Sequence, residues 1–276
     1  MFSTEYYCLV ASLREWTLDS DTKGFDVREI LEELTADDRR AVALLYAYYD
    51  CENIISRRAG RQRHNPLGNL SVEQLDDVIT NRNYALLSER VAKVVKLYVE
   101  AADEERDEDV VLSERFERAL FEAYYADLAA SKSSFLRGWG EFDRTLRNIA
   151  AAVAAREAGR SIKDVVIGGG EVVEQLSRSS AVDFGLRGEL QYIDAVIAAV
   201  SDEPNIVEKE RKIDAIRWSE AEDIAAYDYF NINYLLSYLV KVNIVARWTL
   251  LSPEVGREML NKLIAGLDAA NLVNKQ

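Results

Sequence analysis

Long stretches of this chain contain nothing that would stop a helix. Only 13 glycines and 3 prolines occur in 276 residues, about half the usual share. Between them, apolar side chains recur at three- and four-residue steps. The clearest case runs from Phe135 to Arg160, where Phe135, Leu136, Trp139, Phe142, Leu146, Ile149 and Val153 fall on one face. That period belongs to an amphipathic helix, whereas the side chains of a strand alternate between faces. Convincing alternation is scarce anywhere else. The expected class is all-α, an elongated body of many helices. Apolar residues make up 49% of the chain, enough to bury a sizeable core.

Capping residues mark several helix starts. A helix is expected from about Asp26, with Val27, Ile30, Leu31 and Leu34 on one face. Thr35 caps a second, with Asp38 at its third position and Val42, Leu45, Tyr46, Tyr49 and Ile54 as its apolar stripe. Ser71-Val72-Glu73-Gln74 has the form of a capping box and predicts a helix from Val72. Further helices are expected over Tyr84–Ala101, over Leu112–Arg160 with a break at Ser131–Ser134, over Glu171–Arg178 and over Leu186–Val200. Others follow from Pro204, through Ser219–Asp228, over Phe230–Leu251 and from Ser252-Pro253-Glu254. Asn65-Pro66-Leu67-Gly68 and Gly168-Gly169-Gly170 read as turns, and the acid-rich run Glu100–Asp109 as a hinge or a solvated loop. Tyr6–Leu13 is too short for periodicity to decide between a strand and a helical turn.

Charge narrows the function. With 34 basic and 48 acidic residues the net charge is −14, which favours solubility and repels phosphate backbones; nucleic acid is not an expected partner. The N-terminus lacks the basic flank of a signal peptide. The most apolar helix, Phe230–Leu251, carries Asn231, Asn233, Lys241, Asn243 and Arg247 and reads as buried in protein. The expected compartment is the cytoplasm. Cys8 and Cys51 lie in apolar runs and read as reduced core residues.

No catalytic, cofactor or metal residues are expected. The single histidine, His64, cannot build a zinc site or the two Glu-x-x-His pairs of a di-iron bundle. The Gly168 run fails the dinucleotide fingerprint because Val173 stands at its sixth position, and no Gly-Lys-Ser/Thr follows. Asp37-Asp38 and Asp76-Asp77 do not complete an Asp-Asp-x-x-Asp metal motif, since Ala41 and Thr80 stand where the third Asp belongs. The sharpest charge feature is Arg57, Arg58, Arg61 and Arg63. They complement the dipole at a helix C-terminus, or form a docking patch for an acidic protein surface or a phosphate. The tyrosine pairs Tyr6-Tyr7, Tyr48-Tyr49 and Tyr124-Tyr125 read as packing residues.

Three stretches carry a resemblance. Tyr6–Leu13 (YYCLVASL) resembles the opening of an uncharacterised bacterial family encoded among V-type ATPase genes, with Arg14 where a proline often follows. Phe135–Gly159 is similar to that family's central pattern at Phe135, Trp139, Phe142, Leu146, Arg147, Asn148, Ala155 and Arg156. Asp228–Trp248 is similar to its C-terminal helix. The family looks like a compact relative of the C-type central-stalk component of V-type ATPases, the d-type component in eukaryotes. The resemblance implies a non-catalytic subunit linking the rotor shaft to the membrane rotor ring, peripheral to the inner membrane through its partner subunits. It also implies three helical lobes, here about 1–105, 106–180 and 181–276. Matching echoes are Asp50 to Ile54 with Arg57 and Arg58, Asp143 with Asn148-Ile149 and Arg156, and Asp228 with Asn231-Ile232 and Arg247. The competing expectations are a helical adaptor or assembly factor outside that complex and, less favoured, a helical enzyme working through carboxylates.

Overall fold

The computed structural model describes residues 5–101, 109–201 and 205–250, and among these every regular element is helical. The all-α expectation therefore holds. The helices are α1 (Tyr7–Ser12), α2 (Val27–Glu33), α3 (Ala36–Arg58), α4 (Val72–Thr80), α5 (Glu89–Ala101) and α6 (Asp109–Ala129). They continue with α7 (Ser134–Glu157), α8 (Glu171–Arg178), α9 (Ile193–Ser201), α10 (Ile206–Ile224) and α11 (Ile232–Leu250).

Local chemistry sets most starts. Asp26 accepts from the N–H of Arg28 ahead of α2, and Thr35 accepts from Asp38 ahead of α3. Ser71 and Gln74 close the expected capping box on α4. Ser133 caps α7 at Leu136, so the Ser131–Ser134 break falls where serine competes with the helix for backbone donors. The stretch Tyr84–Ala101 is not one helix. A 3-10 turn at Tyr84–Leu86 comes first, and Ser88 then caps α5 by accepting from the N–H of Val91. Tyr6–Leu13 resolves as the short helix α1. The acidic run lies mostly outside the described residues, as does the segment from Ser252.

α7 is the central element. It packs against α6, α8, α9, α10 and α11, while α3 packs on α4, α6 and α11. Phe135, Leu136, Leu146 and Ile149 of α7 are fully buried. They meet Leu120, Tyr124 and Leu128 of α6 and Leu235, Leu236 and Leu239 of α11 in one continuous core. Each such side chain contributes about 1.5–3 kcal/mol by leaving water.

The expected helix over Leu186–Val200 forms only from Ile193. Two side chains hold the preceding segment in turns. Arg156 donates to the carbonyls of Ala181 and Ser179, and Gln175 donates to that of Phe184. Phe184 and Gly185 adopt positive φ, which ends any helical path. The guanidinium of Arg156 also lies 3.8 Å above the ring of Phe184. Local periodicity carries no trace of these contacts.

Two long helices use the same device on the loop that follows them. Asn53 of α3 donates to the carbonyl of Asn65 and accepts from its N–H at 2.6 Å. Asn148 of α7 grips Ile167 in the same two-bonded way, at 2.9 and 2.8 Å. Asp50 reinforces the first clamp by accepting from Leu70 N–H and Asn69 Nδ2. The loop passes so close that a Cβ on Gly68 would sit 2.7 Å from Asp50 Oδ1, so only glycine fits. The third asparagine in even spacing after 53 and 148 is 243, and each is followed by isoleucine. Asn243 is buried on α11, and its Oδ1 has no donor among the described residues. Asn231 does a different job, accepting from Asn233 and Tyr234 N–H at the start of α11. Asn243-Ile244, rather than Asn231-Ile232, is thus the pair on α11 that matches the other two.

Asn148→Ala removes both bonds to Ile167 and leaves that peptide poorly solvated. Urea unfolding should show a loss of about 1–3 kcal/mol, with faster amide exchange at Ile167. An unchanged midpoint would mean the clamp does not hold the loop.

Candidate functional site

Ionic side chains converge where α6, α7, α10 and α11 meet. Asp143 of α7 accepts from the hydroxyl of Tyr125 at 2.6 Å, from Arg217 of α10 at 3.1 Å, and pairs with Arg147 at 3.4 Å. Asp214 of α10 accepts from Arg217 at 3.2 Å, from Arg247 at 3.5 Å and from the indole of Trp248 at 3.0 Å. Arg247 also pairs with Glu210. Both carboxylates are buried, Asp214 at 1% exposure. Arg217 bridges them and is the hub.

Electrostatics follow from this packing. Burial alone would push Arg217 down, but Asp143 and Asp214 outweigh it and hold the guanidinium charged well above its ordinary value. Arg147 goes the other way, lowered to about 9, because burial is joined by the like charges of Arg217 and Arg247. Its guanidinium also stacks over Tyr48 and Phe121, 4.7 and 4.9 Å from their ring centres. Glu52 of α3 lies at the edge, accepting from Tyr48 and from Asn65, with its carboxyl raised by burial.

Arginine, tyrosine and tryptophan donors occupy both oxygens of Asp143 and of Asp214. Such carboxylates are poorly placed to take a proton from a substrate. What they do well is fix helix register, since a charge left unpaired at this depth is costly. Among the described residues no group of three or more His, Cys, Asp or Glu side chains is placed to bind a metal ion. Asp37 and Asp38 engage Arg40 and Thr35, while Asp76 and Asp77 engage Arg57 and two asparagines.

The four arginines of the cluster have different surroundings. Arg57 pairs with Asp76 of α4, and Arg58 lies 4.6 Å over the ring of Phe116 on α6. Arg61 and Arg63 remain exposed; burial raises the carboxyls of Glu117 and Glu52, and these two cations oppose that rise in part. Cys51 is buried as expected, but Cys8 is exposed, because the short helix α1 buries none of its residues. Tyr124 and Tyr125 are core residues. Tyr6 is buried while Tyr7 faces outward.

The sequence pattern had singled out Asp143, Arg147, Arg247 and Trp248, but as separate positions. It read Tyr125 only as a packing residue and passed over Asp214 and Arg217. The only local signal for the last two is an acid and a base three residues apart, a spacing common on exposed helices.

The family model for proteins of unknown function designated DUF2764 matches residues 3–270. The chain belongs to this DUF2764 family. No curated protein and no solved structure matches it. The matched span includes every residue of the ionic junction and both asparagine clamps, so the family pattern covers the whole body described above. Among the described residues no helix is long and apolar enough to cross a membrane.

Two tests follow from the junction. Arg217→Met strands two buried carboxylates and should cost about 3–5 kcal/mol; adding Asp214→Asn should restore part of that loss in denaturant titrations. The second concerns pH. Burial holds the hydroxyls of Tyr46, Tyr49, Tyr124 and Tyr125 neutral well above the usual phenol value. The folded state then keeps protons that the unfolded chain releases from about pH 10 upward, so stability falls as pH rises, by about 1.4 kcal/mol per unit for each tyrosine. The depressed Arg147 acts with the opposite sign from about pH 9, one group against four. Absorbance of these phenols should stay silent until the chain unfolds cooperatively; gradual ionisation within the folded state would contradict this.

Proposed function

We propose that this protein is a non-catalytic central-stalk subunit of a V-type ATPase or ATP synthase. It joins the rotor shaft to the membrane rotor ring and helps couple ATP turnover to proton or sodium transport. The reading starts from the resemblance carried by Tyr6–Leu13, Phe135–Gly159 and Asp228–Trp248. One structural observation favours it: the Asn-Ile pair recurs on α3, α7 and α11, and two of the three asparagines clamp the following loop in the same way. Repetition of a helix-and-clamped-loop unit suits a chain related to the three-lobed C-type component of the stalk.

The residues carrying the resemblance also have mechanical jobs. Phe135, Trp139, Phe142 and Leu146 are core, Asn148 is a clamp, and Arg147, Arg247 and Trp248 belong to the junction. A part that passes torque must resist sliding between helices, and saturated buried charges oppose such sliding more sharply than apolar contacts do. The chain needs no nucleophile, metal or cofactor for this role. It would work in the cytoplasm, meeting the inner membrane only through partner subunits.

Co-expression with the shaft and ring subunits of the same organism's rotary ATPase is the test. The chain should co-purify with the shaft and remain in the assembled complex. A chain that ignores shaft subunits at micromolar concentration, yet holds a different soluble partner, is instead an adaptor or assembly factor outside the rotary complex.

A further inference from the structure

α1 is lightly embedded. None of its six residues is buried, although Leu9 and Val10 rest against the core, and just before it the N–H of Tyr6 donates to the carbonyl of Phe230 and its hydroxyl to Asp38. Between α1 and α2 lies an open groove of about 480 Å³. Leu9, Leu13 and Phe25 give it half-buried apolar walls, with the buried Ile30 beneath them. Cys8 also lines it, and the neighbouring Tyr7 is exposed with its ring centre 4.5 Å from that of Phe230.

The rim is unevenly charged. Asp26 is held by the guanidinium of Arg28, and the guanidinium of Arg14 lies over the ring of Trp16 at 4.6 Å. Glu29 and Glu33 line the same groove and pair with no cation among the described residues. They stand one helical turn apart on α2, about 6 Å along its axis, where like charges repel. A ligand with an apolar stripe and two cations at matching spacing would fill the walls and relieve that repulsion.

We infer that the groove between α1 and α2 docks a basic amphipathic helix of another protein, with Lys or Arg four residues apart facing Glu29 and Glu33. Its apolar face lies against Leu9, Leu13 and Phe25. Other occupants match less well. A second copy would bring its own surplus of acids, since the chain carries −14. The chain's own residues 251–276 hold three acids and three bases with no two bases four apart. Anionic lipid or nucleic acid meets two uncompensated carboxylates. The inference uses α1 and α2 alone and stands apart from the rotary reading, so either can fail without the other.

Cys8 lines the groove and is exposed, whereas Cys51 is buried, so iodoacetamide reports on this site in the intact chain. The probe is a short synthetic Leu–Lys amphipathic helix with lysines four residues apart. It should slow Cys8 alkylation in a saturable, salt-sensitive way. Glu29→Lys with Glu33→Lys should weaken the protection about tenfold, while Glu122→Lys with Glu171→Lys, on other faces, should leave it unchanged. A Ser–Lys peptide without an apolar face and a Leu–Glu peptide should both fail. Equal protection by the Ser–Lys peptide, or no effect of the Glu29 and Glu33 reversals, overturns the inference. So does a Cys8 that is slow to react in the free chain at every concentration, which means the chain covers its own groove, or protection that grows with protein concentration, which means a second copy does.

Discussion

Arg217 has to satisfy two buried carboxylates at once, and the packing of the central helices depends on it. Asp143 comes from α7, and Asp214 lies three residues before Arg217 on α10. Arg247 and Trp248 bring α11 to the same point, and Tyr125 brings α6. An apolar interface tolerates small sliding because one methyl group substitutes for another. A buried ion does not, because each lost partner leaves a charge without compensation. The junction therefore selects one register for four helices that hydrophobic contact alone would leave less sharply defined.

A second layer of order comes from helix side chains that bond to loop backbone. Asp50 and Asn53 hold residues 65–70, Asn148 holds Ile167, and Arg156 holds the carbonyls of Ser179 and Ala181. Loops pinned this way add little freedom to the helices they join. That pattern stiffens the body, and it accounts for polar residues kept inside long apolar helices. The periphery near α1 is built differently, with an open groove edged by Glu29 and Glu33, which pair with no cation among the described residues.

Much of the architecture was legible one helix at a time. Thr35, Ser71 and Ser133 mark starts through bonds to N–H groups two or three residues away, so the signal and the structure share the same few residues. The stripe from Phe135 to Val153 is buried as its period requires. Legibility failed where the deciding partner was distant in sequence. Nothing near Leu186 says that Arg156 and Gln175 will hold the segment before it in turns. Nothing near Arg57 or Arg58 says that Asp76 will pair with the one and the ring of Phe116 will sit under the other. Cys8 sits in an apolar run that reads as core, yet α1 is too short to turn that run inward.

The sequence by itself determined the helical class, most helix boundaries, the apolar faces and the lack of any familiar catalytic motif. These depend on spacing and on capping bonds that span a single turn. Only the tertiary structure decided that Tyr125, Asp143, Asp214, Arg217 and Arg247 form one cluster, that Asn53 and Asn148 are equivalent clamps, and that Glu29 and Glu33 edge an open groove. Charged residues on a helix look alike in sequence whether they face water or one another. Burial and the partner across the interface assign their roles, and both exist only once the helices have packed.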